Sequence, residues 1–124
     1  MKNEYFRFKD LKVWQKALDY ADKIIQVTEN LNTEKHHYRL IEQLESSSAS
    51  VAQNISEGKG RYSKKEFVQF LYFSRGSFNE TLTLINLFHK RNWISEKSLD
   101  DLEEQAYEIA CMLKALINSI SRSI

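Results

Sequence analysis

Apolar residues return every three or four positions along nearly the whole chain, and no stretch alternates in the two-residue rhythm of a strand. With Asp10 as N-cap, Leu11, Trp14, Leu18, Ala21, Ile25 and Thr28 mark one face of a first helix that fades near Asn30. After the polar break NTEK, a second pattern runs through Tyr38, Ile41, Leu44, Ser48, Val51, Ala52 and Ile55 and ends near Glu57. A third spans about Lys64 to Arg91 through Phe67, Phe70, Leu71, Phe78, Thr81, Ile85 and Phe88. A fourth begins after Ser95 and uses Leu102, Ala106, Ile109, Leu113, Leu116 and Ile120. With no proline and only three glycines, few positions break these helices. Four amphipathic helices joined by short breaks predict a single domain over residues 1–124, an all-α antiparallel up-down four-helix bundle.

Two of the helices carry more apolar surface than one core needs. Val13, Tyr20 and Val27 repeat on a face roughly 100° from the Trp14 to Leu18 stripe, and Phe73, Leu84 and Leu87 fall outside the stripe of the third helix. Exposed apolar surface of this kind predicts a homo-oligomer. Within the second helix, Ser46, Ser47, Ser48 and Ser50 are small enough to let a neighbouring helix approach closely. Gly76, inside the third, calls for a close helix crossing to offset its poor propensity.

The only cation-rich, glycine-containing run, NISEGKGRYSKKEF, links the second and third helices. Capping chemistry explains part of it: Gly58 where a helix end favours positive φ, and a capping box from Ser63 to Glu66 ahead of Phe67. Asn54 and Glu57 are placed to bond loop amides, and Glu57 to pair with Arg61. Lys59, Lys64 and Lys65 are left over. Together with Arg61, the third helix's N-terminus and the interleaved Tyr62, they have the chemistry of a phosphate-backbone contact; a solvated, capped turn is the competing explanation. The run has neither the Walker spacing nor a preceding strand, so it is not a nucleotide-binding loop.

Charge sharpens this picture. The formal net charge is +1, yet residues 58–91 hold seven Lys and Arg against two Asp and Glu, whereas residues 95–124 hold three against six. Asp100, Asp101, Glu103 and Glu104 coat the start of the fourth helix, where they suit its dipole and offer a surface to a basic protein partner. No apolar run approaches membrane-spanning length, and MKNEYFRFKD has no secretory apolar region, which points to the cytoplasm. Cys111 is the sole cysteine, off the main stripe with Tyr107 and Lys114. His36 and His37 diverge on a helix, and Glu34 with His37 makes a single Glu-x-x-His without the second copy that a di-iron bundle uses. These patterns predict no enzyme, no metal and no cofactor.

Three segments, FKDLKVWQKA, NISEGKGRYSKKEFVQFL and SRGSFNETLT, resemble the bacterial four-helix-bundle family encoded in intervening sequences of 23S rRNA genes, over about Phe8 to Ile117. Asn54, Glu57, Gly58, Gly60, Arg61, Ser63, Glu66 and Phe67 fit that family's N-I-x-E-G-x-G-R-x-S-x-x-E-F pattern. Arg75, Gly76, Ser77 and Glu80 fit its R-G-S-x-x-E. The resemblance extends to the accessory variability determinant of diversity-generating retroelements. It implies a homopentameric barrel of antiparallel bundles, and RNA or DNA binding through Lys59, Arg61, Lys64, Lys65 and Arg75. A reverse transcriptase is the implied protein partner. Glu45 and Ser46 depart from a basic pair that many relatives carry, and Leu82 stands where a second acid is common. The resulting expectation is a non-enzymatic oligomeric bundle that binds nucleic acid; the alternative is a protein adaptor or scaffold that binds none.

Overall fold

The computed structural model of the chain describes residues 4–124. A 3-10 segment, Glu4–Asp10, precedes four α-helices: α1 Lys12–Thr28, α2 Tyr38–Lys59, α3 Lys64–Lys90 and α4 Glu96–Ser121. The all-helical bundle expected from the periodicity is present, and the described residues contain no strand. Each helix packs against its sequence neighbours and α1 closes against α4, so that α1 and α3 stand diagonally apart.

A ladder of small polar side chains sets the register of α2 against α3. Ser47 and Thr81 hydroxyls meet at 2.9 Å, Ser77 Oγ donates to Ser50 Oγ at 3.0 Å, and Ser74 Oγ donates to the Val51 carbonyl at 2.8 Å. As the α2 position rises the α3 position falls, which makes the pair antiparallel. Ser47, Ser48, Ser74 and Thr81 are buried and each hydroxyl keeps a partner; Ser47 and Ser50 meet α3 as expected of small residues, whereas Ser46 is exposed and Ser48 bonds within α2.

At the opposite end, Trp93 closes the bundle. Its ring stacks on His37 at 4.1 Å and meets Phe88 edge-on at 5.0 Å, while its carbonyl accepts from the Asn32 amide at 2.9 Å. The α3–α4 reversal passes through Asn92 at φ 63°, a left-handed conformation that asparagine tolerates. Glu34 and His37 belong to the non-helical link before α2, and the His37 ring is engaged with Trp93. Glu34-x-x-His37 is therefore not a helical ligand pair.

Several local expectations are corrected. Leu11 occupies the N-cap of α1 in place of Asp10 and makes no side-chain cap, because Asp10 still belongs to the 3-10 segment. On α1 the core face is rotated from the expected stripe: Ala21 is buried as expected and Leu11, Trp14 and Thr28 are half-buried. Val13, Ala17, Tyr20, Ala21 and Ile24 face the core, whereas Leu18 is 48% and Ile25 42% exposed. At 100° per residue the buried arc is centred on Ile24 and Ala17, with Ala21 at its edge towards Trp14. Leu84, expected outside the α3 stripe, is likewise buried; Phe73 and Leu87 remain exposed as expected. Surplus apolar surface therefore exists, but on a different face of α1.

The glycines behave differently from their sequence reading. No described glycine has positive φ. Gly58 lies buried inside α2, and a Cβ there would come 2.7 Å from Phe70 Cβ, so close approach of α3 excludes a side chain. Beyond the adjoining backbone of α3, no described atom lies within 4 Å of a would-be Cβ at Gly76, so no other described helix crosses there to offset the loss of about 1 kcal/mol in helix propensity. Tyr20, edge-on to Phe78 at 5.3 Å, is buried, and its hydroxyl has no hydrogen-bond partner among the described residues. Burial and then the nearby Glu103 push that hydroxyl's pKa well above the usual tyrosine range.

Candidate nucleic-acid interface

The α2–α3 turn consists of Gly60, Arg61, Tyr62 and Ser63, a short link that the contact at Gly58 makes possible. With no Cβ at Gly58, Phe67 and Phe70 on the first two turns of α3 lie directly on the end of α2. Those rings hold the cations. Arg61 sits with its guanidinium 4.5 Å from the Phe70 ring centre and donates through Nη2 to Glu57 Oε1 at 2.9 Å. Lys59 Nζ lies 5.9 Å from the Phe67 ring centre. The expected Glu57–Arg61 pair is thus present; both side chains are largely exposed, so it contributes about 0 to 1 kcal/mol.

Ser63 caps α3: its Oγ accepts from the Glu66 amide at 3.1 Å and donates to Glu66 Oε1 at 3.2 Å. Glu66 already places a carboxylate at the positive end of the α3 dipole. An incoming phosphate would therefore be met mainly by side-chain cations. Lys64 and Lys65 leave the first turn of α3 exposed, no ion pair among the described residues engages Lys59, Lys64 or Lys65, and Tyr62 is fully exposed. Four cations and a free aromatic ring thus share one end of the bundle. Arg75 is not among them: it stands eleven positions after Lys64, about 16 Å along the helix axis, with its guanidinium 4.7 Å from the Tyr72 ring centre.

The remaining motif residues gather elsewhere. Asn54 Nδ2 donates to the Ser50 carbonyl at 2.8 Å and to Ser50 Oγ at 2.9 Å, a bond back into its own helix instead of to loop amides. Ser77 donates to the same Ser50 oxygen, so Asn54 and Ser77 meet through a residue that neither motif contains. Ser77 and Glu80 also line an open groove of about 400 Å³ between α2 and α3, beside Arg39, Glu42, Ser46 and Ser50. Gly76 and Glu80 are exposed. Glu45 accepts from Thr28 Oγ1 at 2.8 Å, tying the end of α1 to α2.

Two roles escaped the sequence reading. Phe70 as the platform for Arg61 leaves no linear signal, since the pairing exists only once the turn closes. The Ser50–Ser77 contact had one: Ser47, Ser50 and Asn54 on α2, and Ser74, Ser77 and Thr81 on α3, share the same i, i+3, i+7 spacing of small polar residues. Cys111 is exposed, as its position off the α4 stripe predicts. The described residues hold no group of three or more His, Cys, Asp or Glu able to bind a metal, and none of their helices is long and apolar enough to cross a membrane.

An α-helical bundle, tied by a serine ladder and bearing a cationic aromatic turn at one end, defines the class of this protein. Residues 9–115 match the model of the 23S rRNA-intervening sequence protein family, and the chain belongs to that family. It is similar in fold to a crystal structure from Bacteroides thetaiotaomicron VPI-5482, a protein of unknown function from the S23 ribosomal protein family. The two share 24% identity at a TM-score of 0.78, over 85% of this chain and 97% of that one. No curated protein matches.

Proposed function

We propose that this chain is a non-enzymatic, cytoplasmic, self-associating bundle that binds RNA or DNA through its α2–α3 turn and uses no cofactor. The observation that carries the reading is the composition of that turn. Lys59, Arg61, Lys64 and Lys65 flank Tyr62 in the chain, whose ring is open to solvent, and a sequence-tolerant nucleic-acid site combines cations for phosphates with a ring on which a base can stack. The family resemblance supports assembly into a pentamer, which would repeat the turn around a barrel, and makes a reverse transcriptase the protein partner to test. Exposed Leu18, Ile25, Phe73 and Leu87 support self-association independently of that resemblance.

The test is a fluorescence titration of labelled single- and double-stranded RNA and DNA at two salt concentrations. It is run on the wild type and on a variant with Lys59, Arg61, Lys64 and Lys65 changed to Glu. Salt-sensitive binding is expected for the wild type, with loss of at least about 100-fold in the variant while its helicity and mass stay unchanged. Absence of binding at low salt overturns the reading. It would favour the adaptor alternative, which rests on the exposed carboxylates Asp100, Asp101, Glu103 and Glu104 of α4. A protein partner recovered by pulldown and lost on their reversal to Lys would establish it.

A further inference from the structure

Between α1 and α2 the surface opens into an apolar groove of about 580 Å³, lined by Phe8, Trp14, Leu18, Ile25, Ala49 and Ala52, with Asp19 and Asp22 also on its wall. No described residue fills it, and Leu18 and Ile25 are left 48% and 42% exposed. Across the bundle, α3 presents a ridge of the opposite character. Tyr72 and Phe73 are each nearly half exposed, and Arg75 is held over the Tyr72 ring. Glu80, the nearby acid on α3, lines the separate α2–α3 groove.

Gly76 sits among these residues. Taking 100° per residue, it points opposite the buried Leu71, Ser74 and Phe78, at the outward centre of α3. A glycine in the exposed interior of a long helix lowers helix propensity, and beyond the adjoining backbone of α3 no described atom comes within 4 Å of the missing Cβ. Its use there is explained by a backbone that must be approached closely from outside.

We infer that the α1–α2 groove is occupied by the α3 ridge of a second copy of this chain, with Phe73 and Tyr72 in the apolar trough, Gly76 at closest approach, and Arg75 against Asp19 and Asp22. Two features favour a second copy over an unrelated partner. The groove's apolar floor and acidic wall match the ridge's aromatic and basic character, and both faces belong to every copy. Because the faces differ and lie on different sides of the bundle, the contact is head-to-tail, the kind that closes into a ring when its rotation permits. This assignment rests on the self-association reading above and removes Arg75 from the nucleic-acid set.

Sedimentation equilibrium of the full chain tests it, with helicity followed by circular dichroism. Leu18→Glu and Arg75→Glu are each expected to weaken assembly by roughly tenfold or more, since both place a carboxylate where the groove is apolar or acidic. Combining Arg75→Glu with Asp19→Arg and Asp22→Arg should restore assembly to within about threefold of wild type. Gly76→Ala should raise the melting temperature of dissociated chains yet weaken their association. All these side chains are exposed, so the fold tolerates the changes. A wild type that is monomeric at micromolar concentration overturns self-association itself. A wild type that assembles, but is indifferent to Leu18→Glu and Arg75→Glu or unrescued by the triple reversal, overturns only this pairing of faces.

Discussion

A methyl group on Gly58 would arrive 2.7 Å from Phe70 Cβ, 3.0 Å from Phe67 Cδ1 and 3.3 Å from the Phe67 carbonyl oxygen. Neither a Cβ nor a backbone oxygen can swing aside as the tip of a long side chain does, so α3 itself would have to move. Overpacking of this kind costs about 1 to 3 kcal/mol, against about 1 kcal/mol that alanine contributes to an ordinary helix interior. Gly58→Ala is therefore expected to lower the urea midpoint by the equivalent of about 1 kcal/mol with an unchanged slope; a midpoint that holds or rises would mean that α3 yields freely. The sequence marked Gly58 as special through its place near the end of a helical pattern. The physical reason was not legible there, because it depends on how near Phe67 and Phe70 of another helix come to rest. Asn54 shows the same boundary: its type and position are visible, but its bond to Ser50 follows from side-chain geometry within α2.

At the scale of elements, the periodicity of α2, α3 and α4 matches most of their buried faces, with Tyr38 exposed and Leu84 buried against expectation. Their apolar repeats have one dominant face, and Ser63 and Ser95 mark the starts of α3 and α4 with side chains that accept from Glu66 and Ser98 amides. For α1, Trp14–Leu18–Ile25 and Val13–Ala17–Tyr20–Ile24 fit the same period, and hydropathy does not separate them. The choice depends on how α1 is rotated against its neighbours, which a hydrophobicity pattern along one helix does not contain. The cap on α3 has a measurable consequence for the turn it ends. Ser63→Ala should cost about 1 kcal/mol in urea unfolding, whereas Ser63→Asp, which keeps an acceptor for the Glu66 amide, should stay within about 0.5 kcal/mol. The same Ser63→Asp adds a negative charge beside Lys64 and Lys65, so it should weaken nucleic-acid binding severalfold at low salt while leaving stability nearly intact. If alanine and aspartate reduced binding equally, loss of order in the turn, and not its charge, would be what the ligand senses.

For the whole molecule, the turn's charge matters in proportion to how many copies act on one ligand. A chain with a net charge of +1 is weakly attracted to polyanions as a whole, and its cations work only where they are concentrated. Neutralising phosphates releases counterions, so each cation engaged on a single strand adds about −0.7 to the slope of log affinity against log salt. One turn with four cations can supply a slope of at most about −3. A strand of about 10 nucleotides, comparable to a single site, should reach no further than that. On a strand several times longer, an assembly that repeats the turn should bind with a distinctly steeper slope, because phosphates engage several turns at once. The Arg75→Glu variant supplies the control: its turn is unaltered, yet on the interface assignment its assembly is weakened, so at a concentration where it sediments as single chains its slope on the long strand should fall back to the short-strand value. Equal slopes for the assembled wild type on short and long strands would mean that the turns do not share a ligand. A steep long-strand slope that persists in dissociated Arg75→Glu would instead place several cationic sites on one chain, beyond the four at the α2–α3 turn.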